Sequence, residues 1–287
     1  MKKKVIVAGA SGYLGKYIVK ELKFRGVFLK AIARSGEKLK NLGLDQNEII
    51  EAEVTMPETL KGVMNWADVV ISTVGITRQK DGLSYMDVDY QANMNLLHEA
   101  KIAGVSKFIY ISVLGGEQMR HLKIMAAKEQ FVDALRVWGL DYTIIRPNGF
   151  FSDMKDFLDM AKKGKVYLFG NGEFKLNPIH GADLAKVIVD AIDANENEVV
   201  VGGPDILTQN EIAELALNAW KRPIKISHIP NMVRRLLIKA MRGLTSPKTY
   251  GPYEFFLTMM AQDNVAPRHG VHRLGNYFLK EVDSLSD

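Results

Sequence analysis

The segment Gly9-Ala10-Ser11-Gly12-Tyr13-Leu14-Gly15 constrains what this chain can fold into more than any other. It follows an apolar run, Val5-Ile6-Val7-Ala8, that reads as a strand, and it opens a stretch at 13–24 whose apolar residues recur with helical spacing. Glycines placed between a strand and a helix in this way allow a tight turn, let the backbone approach a pyrophosphate, and let the helix pack closely on the strand. The free N–H groups and partial positive charge of the helix start complete a cradle for an anion. Gly9, Ser11, Gly12, Tyr13, Leu14 and Gly15 are therefore expected to bind a dinucleotide. The alternative is a glycine-rich turn with no ligand.

The rest of the chain repeats the strand-then-helix alternation. Strands are expected at 28–33, near 49–50, at 68–73, 108–111 and 142–145, with helices at 85–103 and near 122–137 between them. Runs such as Val69-Val70-Ile71 and Phe108-Ile109-Tyr110-Ile111 are apolar on both faces, which suits a parallel sheet covered by helices on both sides. The predicted fold class is α/β, a doubly wound parallel sheet of Rossmann type with a smaller, mainly helical C-terminal subdomain. Residues 1–150 form the nucleotide-binding core in this reading, and 177–202 return to it. Residues 151–176 and 203–287 form a substrate-covering part, with helices at 153–162, 209–220, 232–242 and 253–261 and a strand at 166–169, while a helix at 182–192 falls in the returning segment.

Composition narrows the chemistry. With no cysteine among 287 residues, disulfides, thiolate metal sites and thiol nucleophiles are excluded. The six histidines are scattered without paired ligand spacing, so no metal site is expected. No apolar run approaches the roughly 18 residues that span a bilayer, and the N-terminus lacks a signal-peptide pattern, so a soluble, cytoplasmic protein is expected. The net charge of +5 is unevenly placed: residues 221–253 hold Lys221, Arg222, Lys225, Arg234, Arg235, Lys239, Arg242 and Lys248 with no Asp or Glu. That patch is too local to imply nucleic acid. It suits an anionic substrate, a membrane surface or a protein partner, and the helix within it carries Met232, Val233, Leu236, Leu237, Ala240, Met241 and Leu244 at amphipathic spacing.

Coenzyme choice is read at the end of the second strand, where an acid would accept from a ribose 2′-OH and a cation would pair with a 2′-phosphate. The sequence there is Ala33-Arg34-Ser35 with no neighbouring acid, so Arg34 and Ser35 are expected to favour NADP(H), with NAD(H) second. The other reading of Arg34 is a solvated surface residue.

These motifs, together with Ser72-Thr73-Val74-Gly75, Asp87-Val88-Asp89-Tyr90-Gln91-Ala92-Asn93 and Gly139-Leu140-Asp141-Tyr142-Thr143-Ile144-Ile145-Arg146-Pro147, resemble the atypical, extended short-chain dehydrogenase/reductase group, especially its NmrA-like and divinyl-chlorophyllide-reductase-like members. The resemblance covers most of the chain. It implies that Thr73, Val74 and Gly75 lie along the cofactor, and that Pro147, Asn148, Gly149 and Phe150 lie near the nicotinamide. The family's catalytic set is a Ser at the end of the fifth strand plus Tyr-x-x-x-Lys on the next helix. Ser112 and Lys128 match, but the tyrosine position holds Ile124. Lys128 is then either the acid/base, its amine made more acidic by partial burial near the cationic nicotinamide ring, or a holder of the nicotinamide ribose while His121, Tyr110 or a loop tyrosine donates the proton.

The expected function is an NADP(H)-dependent oxidoreductase acting on a medium-sized organic substrate, hydrophobic or anionic, as a monomer or dimer, with a hydrophobic pocket at Phe150, Phe151, Phe255 and Phe256. The alternative is a non-catalytic NADP(H)-binding redox sensor or assembly factor that uses the basic 221–253 surface.

Overall fold

The computed structural model describes residues 3–76 and 82–285. In chain order its regular elements are β1 (Lys4–Ala8), α1 (Tyr13–Phe24), β2 (Phe28–Ala33), β3 (Ile49–Glu51), β4 (Val69–Ser72), α2 (Asn93–Ile102), β5 (Lys107–Ile111), α3 (Lys123–Val137), β6 (Asp141–Pro147), α4 (Lys155–Lys162), β7 (Val166–Phe169), β8 (Lys175–Leu176), α5 (Gly181–Asp190), β9 (Glu198–Val201), β10 (Leu207–Thr208), α6 (Gln209–Ala219), β11 (Ile226–Ile229), α7 (Asn231–Leu244), α8 (Pro247–Met259) and α9 (Leu274–Ser284). Two compact units divide them. The first is Met1–Arg146 with Leu184–Val199, and the second is Pro147–Asp183 with Val200–Asp287.

The first unit is a doubly wound Rossmann sheet with strand order β3-β2-β1-β4-β5-β6-β9. The pairs from β3 through β6 are all parallel. The order reverses between β1 and β4, the point at which α/β sheets of this type open a crevice beyond their carboxyl ends. Val5, Ile6 and Val7 of β1, Val69, Val70 and Ile71 of β4, and Phe108, Ile109 and Tyr110 of β5 are fully buried, so both sheet faces are covered.

One expected helix is built differently. Residues 85–103 read as a single α-helix, but Met86–Ala92 is a wider π-helical turn that passes into α2. The cause is Asn93, whose side-chain N–H groups donate to the carbonyls of Val88 (3.3 Å) and Asp89 (3.0 Å). Those carbonyls would otherwise accept from the ordinary α-helical ladder, and a side chain inserted there widens the turn. The turn seats Asp89 in the interior, where it is fully buried.

The second unit buries Phe151, Phe157, Leu158, Val166, Leu168, Ile212, Leu217, Leu274 and Phe278 in its own core. It contains two small two-stranded sheets, β10-β8 antiparallel and β11-β7 parallel. Four of its elements were not anticipated: the two-residue strands β8 and β10, and also β11 and α9. β11 is short and only half-buried, and α9 shows its apolar face only as Leu274, Phe278 and Val282, spaced by four. Another begins early: α8 starts at Pro247 and runs through Pro252, where the sequence suggested a start at residue 253. Phe151, expected in a pocket wall, is instead 1% exposed within this core. Among the described residues no helix is long and apolar enough to cross a membrane.

The packing of α1 on β1 rests on Gly15, since a Cβ there would lie 2.2 Å from the Gly9 carbonyl oxygen and 2.7 Å from the Ala10 Cα. Both are backbone atoms with little freedom to retreat. Gly15→Ala should therefore destabilise the protein by about 1–3 kcal/mol, read as a lower urea midpoint with an unchanged slope.

Candidate dinucleotide and lysine site

The glycine turn has the geometry of an anion cradle. Gly9 takes φ +79°, a conformation that L side chains rarely adopt, and a Cβ on it would meet the Thr73 Oγ1 at 2.5 Å. Its carbonyl accepts from the Gly12 N–H at 2.9 Å, closing the turn. Gly12 stands at the N-cap of α1 with no side-chain cap, so the first N–H groups of the helix meet no protein oxygen from a capping side chain. Leu14 is buried below the turn, Ser11 and Tyr13 are half-buried, and Gly12 is exposed. An exposed glycine N-cap above a close-packed helix fits a pyrophosphate, and the strand-order reversal puts the turn at the open end of the sheet.

The segment after β4 joins this turn to Lys128. The Thr73 hydroxyl contacts the carbonyl oxygens of Ala8 (3.1 Å) and Gly9 (3.2 Å). Two residues further on, a Cβ on Gly75 would sit 2.8 Å from Lys128 Nζ and 2.7 Å from Asp89 Oδ1. Two extended residues span roughly 7 Å, so the turn and the lysine flank one short strip of backbone. Asn93 braces that strip. Its side-chain oxygen accepts from the Ser72 hydroxyl at 2.6 Å, and its N–H donates to the Val74 carbonyl at 3.2 Å.

Lys128 lies on α3, 9% exposed, with its Nζ 2.9 Å from Asp89 Oδ1. Burial pulls the amine down, but Asp89 and Tyr110 outweigh it and hold the ammonium above lysine's ordinary value. This reverses the expectation that burial makes Lys128 more acidic; the reason is a fully buried carboxylate that the sequence reading did not pair with it. Burial pushes Asp89 itself up, against the pull of Lys128. Tyr110 packs against the same lysine, its ring 5.7 Å from Nζ, and desolvation pushes its phenol up to about 12. Fully buried and so far from neutrality, it is unsuited to hand a proton to a bound substrate.

The other expected residues are placed as follows. Ser112 is 2% exposed, and its hydroxyl donates to Glu129 Oε1 at 2.8 Å. Glu129 is gripped in turn by Arg146 through Nη1 (2.6 Å) and Nη2 (2.9 Å), a bidentate buried pair. Ile124, at the tyrosine position, is 3% exposed. His121 is exposed and precedes α3, which begins at Lys123, so it does not share a helical face with Lys128.

Arg34 follows β2 and is half-exposed, with Nε 3.8 Å from a Glu53 carboxylate oxygen. Ser35 is the N-cap of the next turn, and the Gly36 N–H behind it donates to Glu51 at 2.7 Å. Pro147, Asn148, Gly149 and Phe150 belong to the second unit. There Asn148 is buried and donates to Asn177 Oδ1 at 2.9 Å, while its own oxygen accepts from the Gly149 N–H at 2.7 Å. Phe150 forms a bridge to Ile179. In the same unit His180 stacks on His272 at 4.2 Å, and burial, with His272 beside it, lowers His180 to about 4. Asp183 accepts from the backbone N–H groups of Val271 and His272, which makes it a clamp on that loop.

A family model described as NAD(P)H-binding matches residues 9–195, and the chain belongs to that family. Among curated proteins it is 28% identical to a maize divinyl chlorophyllide a 8-vinyl-reductase, over 84% of this chain and 65% of that protein. It is 26% identical to the photosystem II assembly factor Ycf39 of Guillardia theta, over 79% of this chain and 73% of that protein. The chain thus spans just under two thirds of the maize reductase. Among solved structures, AtPrR2 with NADP+ and (+)pinoresinol matches with a TM-score of 0.76 at 16% identity, covering 98% of this chain and 99% of that one. A nucleoside-diphosphate-sugar epimerase from Staphylococcus aureus matches with a TM-score of 0.72 at 15% identity, over 96% and 99%. At these identities both likenesses show a shared Rossmann-type fold.

The buried network around Ser112 yields a stability prediction. Glu129→Ala strands Arg146 and the Ser112 hydroxyl without their shared acceptor. The expected cost is about 3 kcal/mol, measured by urea unfolding, whereas Ser112→Ala should cost about 1 kcal/mol.

Proposed function

We propose that the protein is an NADP(H)-dependent oxidoreductase that reduces an unsaturated, medium-sized organic substrate, with Lys128 as its central charged group. The observation that carries this reading is the Lys128 ammonium held beneath Gly75 by Asp89, on the strip of backbone that also touches the glycine turn. The cofactor, when bound, supplies or accepts a hydride. Gly9, Gly12 and Gly15 with the start of α1 would hold its pyrophosphate, Thr73 to Gly75 would lie along it, and Arg34 with Ser35 would receive the 2′-phosphate. Lys128, kept cationic, would orient ribose hydroxyls and stabilise negative charge developing on the substrate. Asp89 is a positioning residue in this scheme, because it acts only through the charge of Lys128. The reductase relatives favour a conjugated carbon–carbon double bond as the reacting group.

A second reading is favoured by a specific observation. Ile124 replaces the usual tyrosine, Tyr110 is buried with its phenol pushed up to about 12, and the Ser112 hydroxyl is committed to Glu129. A site so short of proton donors also suits an NADP(H)-binding assembly factor or redox sensor, and the Ycf39 relatives are named photosystem II assembly factors.

Titration with NADPH and NADH, followed by addition of enones, quinones and vinyl-bearing pigments, separates the two. Substrate-dependent oxidation of bound NADPH is the expected result; tight binding with no oxidation across the panel favours the assembly factor. Given turnover, Lys128→Met should lower kcat at least 100-fold, and full activity in that variant would remove the lysine from the mechanism. Asp89→Asn removes the group that raises Lys128 while leaving its desolvation. The amine should then lose its proton at lower pH, so activity that is flat up to the alkaline range in the parent should fall as pH rises in the variant. Arg34→Asp should weaken NADPH binding at least tenfold more than NADH binding, and equal losses would dismiss the 2′-phosphate role.

A further inference from the structure

In α7 the apolar face is turned away from the protein. Over its 14 residues none is buried. The half-buried positions are Asn231, Arg234, Ile238 and Met241, which share one side of the helix. That side packs on α8: the Arg234 guanidinium donates to the Leu257 carbonyl at 3.2 Å, and Arg242, at its edge, pairs with the buried Glu254. The opposite side presents Met232 (69% exposed), Val233, Leu236 (58%), Leu237, Ala240 and Leu244 (84%) to solvent. An ordinary surface helix would direct these residues inward. Arg235 and Lys239 stand exposed along one margin of this face, with Arg242 beyond them.

We infer that the outward face of α7 seats the protein on an anionic lipid surface, the helix lying in the interfacial plane. An apolar stripe with cations at its margin is the pattern of an interfacial helix: the stripe enters the acyl boundary while Arg and Lys reach the headgroups. Charge selects this occupant over a second copy of the chain. Arg235 and Lys239 stand on the margin of this face and the segment 221–253 holds no acid, so two copies paired through it would bring these cations together without an acid from that segment to offset them. An anionic membrane, in contrast, attracts each cation near its surface, by about fivefold in affinity apiece.

The test uses the full chain with vesicles of phosphatidylcholine alone and of phosphatidylcholine with 30% phosphatidylglycerol, followed by sedimentation at low and high salt. Binding to the anionic vesicles, at least tenfold weaker on the neutral ones and weakened by salt, is expected. Leu236→Asp with Leu237→Asp, both at exposed positions, should abolish it while leaving the urea midpoint and NADPH affinity unchanged. Arg235→Gln with Lys239→Gln should weaken it roughly 30-fold. The proposal is overturned by equal binding to both vesicles, by no binding to either, or by an aspartate variant that binds as the parent does. Sedimentation velocity gives a further overturning outcome: a dimer that the aspartate variant dissolves, with no vesicle binding, would assign the face to a second copy of the chain.

Discussion

The site depends on a close approach between backbones that only glycine permits. Where α1 leaves β1, the Gly9 carbonyl occupies the space a side chain on Gly15 would need, and the Thr73 hydroxyl occupies the space a side chain on Gly9 would need. The turn is therefore bound on one side to its own helix and on the other to the segment following β4. That segment carries Gly75, which the Lys128 ammonium and the Asp89 carboxylate approach from below. A chain of three tight contacts thus sets the distance from glycine turn to charged amine. Close-packed interiors transmit displacement instead of absorbing it, so a change at any of these glycines reaches the others.

Two groups of buried charges in the nucleotide-binding unit have different physical roles. Glu129 and Arg146 satisfy one another bidentately, and Ser112 and Glu198 complete the set, so this group is closed and structural. Asp89 and Lys128 form a smaller pair under an exposed glycine, with a phenol as their third neighbour. The first group shares its charge among several partners. The second concentrates one cation at the open end of the sheet, where a bound anion or a developing negative charge can use it.

Much of the nucleotide-binding unit was legible in the sequence because its signals are local. α1 and β2 fall at the expected residues, as does β7 in the second unit, since strand and helix periods change abruptly at glycines there. The Asp89–Lys128 pair was not legible: it joins residues 39 positions apart, and Asp89 sits in a π-helical turn in which Asn93, four residues on, breaks into the helical ladder. Ser112 was readable as a strand-end hydroxyl, but its partner Glu129 lies on the next helix and nothing in the local pattern announces it. The amphipathic spacing of α7 was visible as well. Which side of it faces the protein is decided by Leu257 and Glu254 on α8, beyond the reach of periodicity.

The path of the chain between the two units has an evolutionary consequence. It passes from one to the other after Arg146, returns within α5 at Leu184, and leaves again within β9 after Val199. All three passages lie inside regular elements, β6, α5 and β9, so a helix and two strands are each shared between units. Neither unit is a contiguous stretch of gene, and a single recombination could not exchange one for a homologue's without cutting β6, α5 or β9. Variation confined to the second unit is therefore simplest by substitution and by insertion between its own elements, which leaves the shared elements intact.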